Sequence, residues 1–208
     1  MEKVNTTVKA YAQILTFLVL WIALVVYAAG PETSVTLRFA LARLPQAVTA
    51  YVAVGLLFTK LLWRSSLIQG WLIKVPDLQG TWRGELISDY VDPATGTTVP
   101  PIPVVLVIRQ TFSSIRSTMM TSESTSYSTT AAIDRAPGTD ELYLTYCYTN
   151  RSRETIRERS PIHDGAAVLK IIREPGRSLE GGYWTSRKTK GDMVLRFESK
   201  KLAEKFTE

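Results

Sequence analysis

Residues 103 to 133 read PVVLVIRQTFSSIRSTMMTSESTSYSTTAAI, which is three short runs rich in Val, Ile, Thr, Ser and Tyr. β-Branched and aromatic residues are enriched in strands, so each run predicts a strand. The links between the runs are too short for a helical crossover, and strands joined in this way pair antiparallel. The stretch therefore predicts part of an antiparallel β-sheet.

The same texture extends on both sides and predicts eight strands, at 80–90, 103–112, 114–122, 124–133, 141–150, 166–173, 179–188 and 193–199. Most of the links carry Gly, Pro and Asp, as turns do. An open sheet of this size would leave two exposed edges, and closing the sheet removes them. We expect residues 76–208 to form an eight-stranded antiparallel up-and-down β-barrel of the lipocalin-like type, with room for side chains or one small ligand.

The first third of the chain has a different composition. No charge occurs in the 22 residues between Lys9 and Glu32, and Lys60 is the only charge in residues 44–63. About 20 apolar residues cover the hydrocarbon core of a bilayer. Residues 1–74 therefore predict a two-helix transmembrane hairpin, with spans at about 11–29 and 44–63, which makes the protein a membrane-anchored all-β protein. We expect the turn at Pro31 and Thr33-Ser34, and an interfacial collar around Trp63 and Trp71.

Loop charges give the orientation. Lys3 and Lys9 precede the first span, and Lys60, Arg64 and Lys74 lie at or beyond the end of the second, whereas only Arg38 and Arg43 lie between the spans. The positive-inside rule then places both termini in the cytoplasm, in a multi-pass protein of the bacterial inner membrane. A single cysteine suits that reducing compartment. The alternative for residues 1–30 is a cleaved secretory signal ending near Val26-Tyr27-Ala28.

Composition excludes several functions. One Cys and one His cannot build a disulfide scaffold or a Cys/His zinc site. Residues 1–75 hold seven Lys/Arg against two acids and residues 76–208 hold 18 against 17, so the basicity belongs to the membrane flanks rather than to a groove for DNA or RNA. No phosphate-binding glycine loop, metal-ligand cluster or nucleophile elbow occurs, which leaves a hydrolase using His163 and Asp164 without support. We expect a binding module without cofactor, metal or enzymatic activity.

Strand periodicity supplies the candidate site. Leu142, Leu144, Tyr146 and Tyr148 share one face of their strand, as do Tyr183, Thr185 and Arg187, and as do Val105, Val107, Arg109 and Thr111. We interpret these faces as a barrel interior that mixes apolar and polar groups. The candidate ligand-binding residues are Tyr90, Arg109, Thr111, Arg116, Tyr146, Tyr148, Tyr183, Thr185 and Arg187. Arginine forks bind phosphates, rings stack on bases and hydroxyls read polar edges, so the set suits a flat, anionic heteroaromatic ligand.

Structural alternatives exist for each part of this set. Tyr and Thr are good strand formers, and the arginines could face solvent. Arg187 could instead lie across Trp82 as a cation–π cap at a closed barrel end. The charged run 151–159 alternates Arg with Glu, which is typical of a solvated loop, although a loop at the barrel mouth could also grip a ligand.

Two apolar spans, then VPDLQGTWRG at 75–84 and GYWTSRKTKG at 182–191, resemble a bacterial family of antiphage effectors. Its members combine two transmembrane helices with a β-strand-rich domain and are encoded beside cyclic-oligonucleotide synthases in CBASS operons. The resemblance implies a cytoplasmic barrel that binds a cyclic dinucleotide, homo-oligomerisation of the hairpins on activation, and disruption of the inner membrane that kills the cell. The rival hypothesis is a membrane-tethered lipocalin-like carrier or scaffold for an apolar ligand. A lumen without Arg109, Arg116 and Arg187 would favour the rival.

Overall fold

The computed structural model describes residues 6–30, 35–65, 75–92 and 95–207. They fall into two compact units, residues 2–74 and residues 75–208. The turn predicted at Pro31 and Thr33-Ser34, and the part of the predicted collar around Trp71, lie outside the described residues.

The N-terminal unit is helical. Its elements are α1 (Thr6–Ala29), α2 (Leu37–Ala42), α3 (Leu44–Lys60) and a 3-10 turn at Leu62–Arg64. Gly30 follows α1 with φ 60°, the left-handed conformation that commonly ends a helix and that glycine adopts without strain. Thr36 caps α2 by accepting a 3.2 Å hydrogen bond from Phe39 N. Pro45 lies in the first turn of α3, where its missing N–H has no consequence.

Contacts between aromatic side chains and neighbouring elements hold this unit together. The ring of Phe17 meets the ring of Tyr51 edge to face at 5.8 Å, and Trp21 Nε1 donates a 3.0 Å hydrogen bond to the Ala40 carbonyl. Within the described residues, none of the helices is both long and apolar enough to cross a membrane. The membrane role of this unit stays a prediction.

The second unit is a closed barrel in which every strand pairs with its neighbours in sequence and β8 pairs with β1. All pairs are antiparallel, which confirms the predicted eight-stranded up-and-down topology. The strand ends differ from the predicted ones by at most three residues. The strands are β1 (Gly80–Ser88), β2 (Ile102–Gln110), β3 (Ile115–Met120), β4 (Ser124–Arg135), β5 (Leu142–Ser152), β6 (His163–Ile172), β7 (Ser178–Thr185) and β8 (Lys190–Ser199).

Side chains fill much of the barrel interior. Alternate residues of each strand point inward, as the pleat requires, and those of β5 do so in the predicted phase. The largest cluster of buried side chains is apolar and includes Trp82, Leu106, Ile108, Leu144, Leu169, Leu179, Met193 and Leu195, and no arginine is among the buried residues that the structure describes. The prediction of arginine and threonine mixed along the inner wall is therefore wrong for most of its length.

One end of the barrel is closed by the segment that enters β1. Trp82 Nε1 donates to the Leu78 carbonyl at 2.9 Å, and Leu78 N donates to Gln110 Oε1 at 2.7 Å. The Arg177 guanidinium lies 5.3 Å from the Trp82 ring centroid and 3.9 Å from that of Phe197. Trp82 therefore carries the cation–π cap considered from the sequence, but Arg177 supplies it and Arg187 does not.

The outer face of β2 is covered by the C-terminal segment. Val105 and Val107 pack with Met120 against Leu202, Ala203 and Phe206, whereas Val104, Leu106 and Ile108 face the core. The strand is thus buried on both faces, which is why it reads as a continuous apolar run. The predicted phase of β2, which placed Val105 and Val107 in the interior together with Arg109 and Thr111, is wrong.

Candidate ligand-binding site

Two tyrosine rings lie near the end of the barrel opposite the one closed by Trp82; we call this second end the open end. Tyr148 of β5 and Tyr183 of β7 point inward and are only 3% and 6% exposed. Gly165 and Gly191 make room for them, because a Cβ on Gly165 would lie 2.5 Å from the Tyr148 hydroxyl and a Cβ on Gly191 would lie 2.9 Å from the Tyr183 ring. The two glycines thus leave space for the tyrosine rings, which any larger residue at positions 165 and 191 would occupy.

A hydrogen-bonded network of serines and an asparagine lies beside these rings. Asn150 Nδ2 donates to Ser124 Oγ at 3.0 Å and to Ser126 Oγ at 2.9 Å. Ser152 Oγ donates to Asn150 Oδ1 at 3.4 Å and lies 3.1 Å from Ser160 Oγ. Asn150, Ser126 and Ser152 are all buried. Buried hydroxyls and amides are costly unless paired, so the network fixes the positions of its members.

Arg187 brings a positive charge to this network. It lies in the β7–β8 turn and donates from Nη1 to Ser160 Oγ at 3.2 Å. The turn is held by Thr185, whose Oγ1 lies 2.7 Å from Thr189 Oγ1 and accepts from Arg187 N at 3.2 Å. The Arg187 side chain is exposed, so it presents its remaining donors at the barrel mouth.

The electrostatics of the tyrosines reflect the same arrangement. Burial raises the pKa of Tyr148 to about 12, the Tyr183 hydroxyl adds to the rise, and the Arg187 guanidinium opposes it. Burial also raises the pKa of Tyr183, and a hydrogen bond with Ser88 opposes that change. Both phenols therefore stay neutral at physiological pH and act as hydrogen-bonding groups and as ring surfaces.

A second arginine reaches the network from the β5–β6 connection. Arg157 Nη2 donates to the Ser152 carbonyl at 3.2 Å, and its Nη1 pairs with Glu154 at 2.5 Å. Nearby, burial lowers the pKa of His163, an effect that a 2.8 Å hydrogen bond to the Pro161 carbonyl opposes and Arg187 increases. Within the charged run 151–159, Arg157 therefore both pairs with Glu154 and contacts the serine–asparagine network through the Ser152 carbonyl.

These groups fit the recognition of an anion attached to a flat ring. A guanidinium binds phosphate oxygens in pairs, hydroxyls donate to them, and tyrosine rings stack on heteroaromatic bases. In the part of the chain that the structure describes, no group of three or more His, Cys, Asp or Glu could hold a metal ion.

Residues 73–196 match a family model described as Cap15, cyclic dinucleotide receptor domain. The chain belongs to this family. CD-NTase-associated protein 15 of Staphylococcus schleiferi is 29% identical over 149 residues, covering 72% of this chain and 74% of the relative. A protein of the same name from Escherichia albertii is 28% identical over 141 residues, covering 67% of this chain and 69% of the relative. The resemblance to CBASS effectors is thereby confirmed at the level of the family.

Six predicted site residues of this Cap15 receptor domain lie on the inner wall or at the open end. Tyr148, Tyr183, Thr185 and Arg187 meet there, as described above. Tyr146 lies deeper on the same face of β5, 5.9 Å from Tyr148 between ring centroids. Its hydroxyl is buried without a hydrogen-bond partner among the described residues. Tyr90 follows β1 at the open end and is 40% exposed.

The other three predicted residues of the set lie elsewhere. Arg109 and Arg116 face each other on β2 and β3 with both side chains exposed on the outer face. Thr111 begins the β2–β3 turn, where its N–H donates to the Ser114 carbonyl at 2.8 Å. All three are at the closed end, so they do not join Arg187. The alternative in which these two arginines face solvent is confirmed.

Sequence reasoning missed the polar network. Asn150 and Ser152 continue the inward face of β5 beyond Tyr148. Asn150 already lay in phase within the predicted strand 141–150, and extending that strand by two residues would have added Ser152. Ser124 and Ser126 occupy the corresponding face of β4. Ser160 and Arg157 lie in a connection without strand periodicity, and no pattern in the sequence indicates their role.

Proposed function

We propose that the chain is an antiphage effector whose barrel binds a cyclic dinucleotide at its open end, and that it acts as a receptor without turning over this ligand. The observation that carries the proposal is the meeting of Arg187, the serine–asparagine network and the rings of Tyr148 and Tyr183 within the stretch matched by the receptor family. The Arg187 guanidinium pairs with a phosphate. The rings of Tyr148 and Tyr183 contact the bases.

The network supplies donors and acceptors of fixed position. Ser160 already orients Arg187, and Asn150 orients the hydroxyls of Ser124 and Ser126. Preorganised groups lose little conformational entropy when a ligand binds. The unpaired hydroxyl of Tyr146 offers a further polar contact below the rings, because a buried hydroxyl without a partner carries a cost that a ligand atom removes.

The N-terminal helices are the part of the proposal that acts on the membrane. We place α1 and α3 in the inner membrane as an anchor with both termini in the cytoplasm. One helical pair is too small to open a bilayer, so its disruption needs several copies. A ligand shifts the equilibrium towards the assembled state only if it binds that state more tightly than the resting one.

The test of ligand binding is a thermal-shift titration of the full chain with a panel of cyclic dinucleotides. Binding to the folded state raises the melting temperature by mass action, so at least one member should raise it. Arg187→Ala should remove the shift and keep the fold, because Trp82 is capped by Arg177. Arg151→Ala, at an exposed position of β5, is the matched control and should keep the shift.

The outcomes separate the rival functions. No shift with any cyclic dinucleotide would refute the proposal, and a shift with fatty acids alone would favour the carrier. Recovery of the intact nucleotide after incubation tests the absence of turnover.

The membrane role is tested by coexpression with the cyclic-oligonucleotide synthase. Toxicity and dye leakage should require residues 1–74, and toxicity that survives their deletion would contradict the anchor as the active part.

A further inference from the structure

Two arginines lie directly opposite each other on the outer wall of the barrel. Arg109 of β2 and Arg116 of β3 are paired in register, and both side chains are exposed. Within the described residues, neither guanidinium forms an ion pair or a hydrogen bond. Like charges directly opposite each other on a sheet destabilise it. An anion that bridges the two guanidinium groups would replace this repulsion with attraction. We call Arg109 and Arg116 the arginine pair.

The backbone of one further basic residue lies near the same outer face. Lys201 lies beside Thr81, whose Oγ1 donates to the Lys201 carbonyl at 2.6 Å, and Thr81 is the register partner of Val107. Val107 and Arg109 are neighbouring residues on the outer face of β2. The Lys201 backbone is thus one strand away from the outer face of β2 that carries Arg109.

The position of the arginine pair along the barrel axis is informative. It lies at the closed end, which is where the chain enters the barrel. Leu78 is buried there, and the Pro76 carbonyl accepts a 3.0 Å hydrogen bond from Gln110 Nε2. The apolar N-terminal part of the sequence is therefore joined to this end of the barrel and not to the open end that holds Arg187.

We propose that the arginine pair binds the phosphate groups of anionic phospholipids at the bilayer surface. The inference rests on the membrane anchor of the proposed function, because the residues that enter the closed end directly follow the anchor in the sequence. Guanidinium groups bind phosphate in pairs of hydrogen bonds, and basic residues next to a membrane segment are attracted to an anionic leaflet.

The experiment uses the full chain with a single labelled cysteine. Ser113→Cys places a dye in the exposed turn between the two arginines, and Cys147→Ser removes the native exposed thiol. The labelled protein is reconstituted in vesicles of phosphatidylcholine, or of phosphatidylcholine with one quarter phosphatidylglycerol. Quenching by acrylamide, which is uncharged, reports the exposure of the dye. We expect anionic lipid to lower the quenching constant at least about twofold at low salt, and high salt to restore it.

Variants connect the effect to the arginine pair. Arg109→Gln with Arg116→Gln should abolish the drop in quenching while leaving the nucleotide thermal shift unchanged. The matched control, Arg151→Gln with Lys190→Gln, removes the same charge from exposed positions near the open end and should keep the drop. Equal quenching in both lipids would overturn the inference, and so would a drop that persists in the arginine double variant.

Two further arms separate the sources of phosphate and the two proposals. A drop caused by glycerol 3-phosphate in phosphatidylcholine vesicles would identify a site for free phosphate and would overturn lipid binding. Failure to co-float with phosphatidylcholine vesicles would refute the anchor. In that case, flotation with anionic vesicles that depends on the arginine pair would uphold the lipid contact, and flotation with neither lipid would overturn both proposals.

Discussion

Tyr148 lies against Gly165 across the β5–β6 pair, so closely that a Cβ added to Gly165 would lie 2.5 Å from both the phenol Cζ and its oxygen. The same Cβ would lie 2.6 Å from the Trp184 carbonyl oxygen of the next strand. A Cβ atom does not approach non-bonded heavy atoms so closely in packed proteins. The place of the Tyr148 ring at the open end therefore depends on a glycine at position 165.

Gly165→Ala should displace the Tyr148 ring and strain the β6–β7 pair. We expect it to lower the free energy of unfolding by about 1–3 kcal/mol, as overpacked sites do. It should also weaken cyclic dinucleotide binding, because the ring that contacts a base is moved. Denaturant unfolding measures the first effect and a ligand titration the second.

Gly182→Ala is the control for this substitution. A Cβ at Gly182 would meet only the Gly191 carbonyl oxygen, at 3.6 Å, which is an ordinary contact. Its effects on stability and binding should both be small. Equal losses in the two variants would mean that the strand tolerates no alanine in this region and that the Tyr148 ring is not the cause.

The barrel itself could be predicted from the sequence because its strands are short, alternate in polarity and are joined by turn residues. The phase of β2 could not. Val104 to Ile108 are apolar at every position, so period two has no meaning there, and the C-terminal segment that covers Val105 and Val107 comes from residues about 100 positions away.

The candidate site could be predicted only where the strands alternate in polarity. Tyr146 and Tyr148 follow a clear alternation along β5, and Arg187 follows Tyr183 in phase. Arg109 was placed in the interior because the phase of β2 was reversed. Arg177 precedes β7 at the closed end and Arg187 follows β7 at the open end, so the direction of the strand decides that Arg177 reaches Trp82.

Arg177→Ala should destabilise the barrel from its closed end. The guanidinium lies over Phe197 and near Trp82, and its Nη2 donates to the Asp77 carbonyl at 2.6 Å. Cation–π contacts contribute about 0.5–2 kcal/mol according to their desolvation, so a loss in this range is expected. Arg173→Ala, at an exposed loop position, is the control. A similar loss in the control would mean that net charge is responsible.

The C-terminal segment should stabilise the barrel through its apolar residues. Leu202→Ala with Phe206→Ala would uncover Val105 and Val107, which the segment shields from water. The side chains of Leu202 and Phe206 are only partly buried, so we expect the double variant to lower the free energy of unfolding by about 1–3 kcal/mol in total. It should also bind more of a hydrophobic dye. Glu204→Ala with Lys205→Ala changes exposed positions of the same segment and should leave both measurements unchanged.

Alkaline pH should weaken the barrel through its buried tyrosines. Tyr148 has a pKa of about 12 in the folded state, above the ordinary value of 10.0, because burial disfavours the phenolate. The unfolded chain therefore releases this proton first as the pH rises. The stability that neutral Tyr148 contributes is complete below pH 10 and is lost as the pH rises towards 12, at up to about 1.4 kcal/mol per pH unit for one such group. Denaturant unfolding at several pH values should show this decline, and Tyr148→Phe should make it shallower.

Tyr127→Phe, at a half-exposed position of β4, controls for the substitution itself. An unchanged slope in Tyr148→Phe would show that the decline arises from other groups and that the Tyr148 phenol is accessible to water.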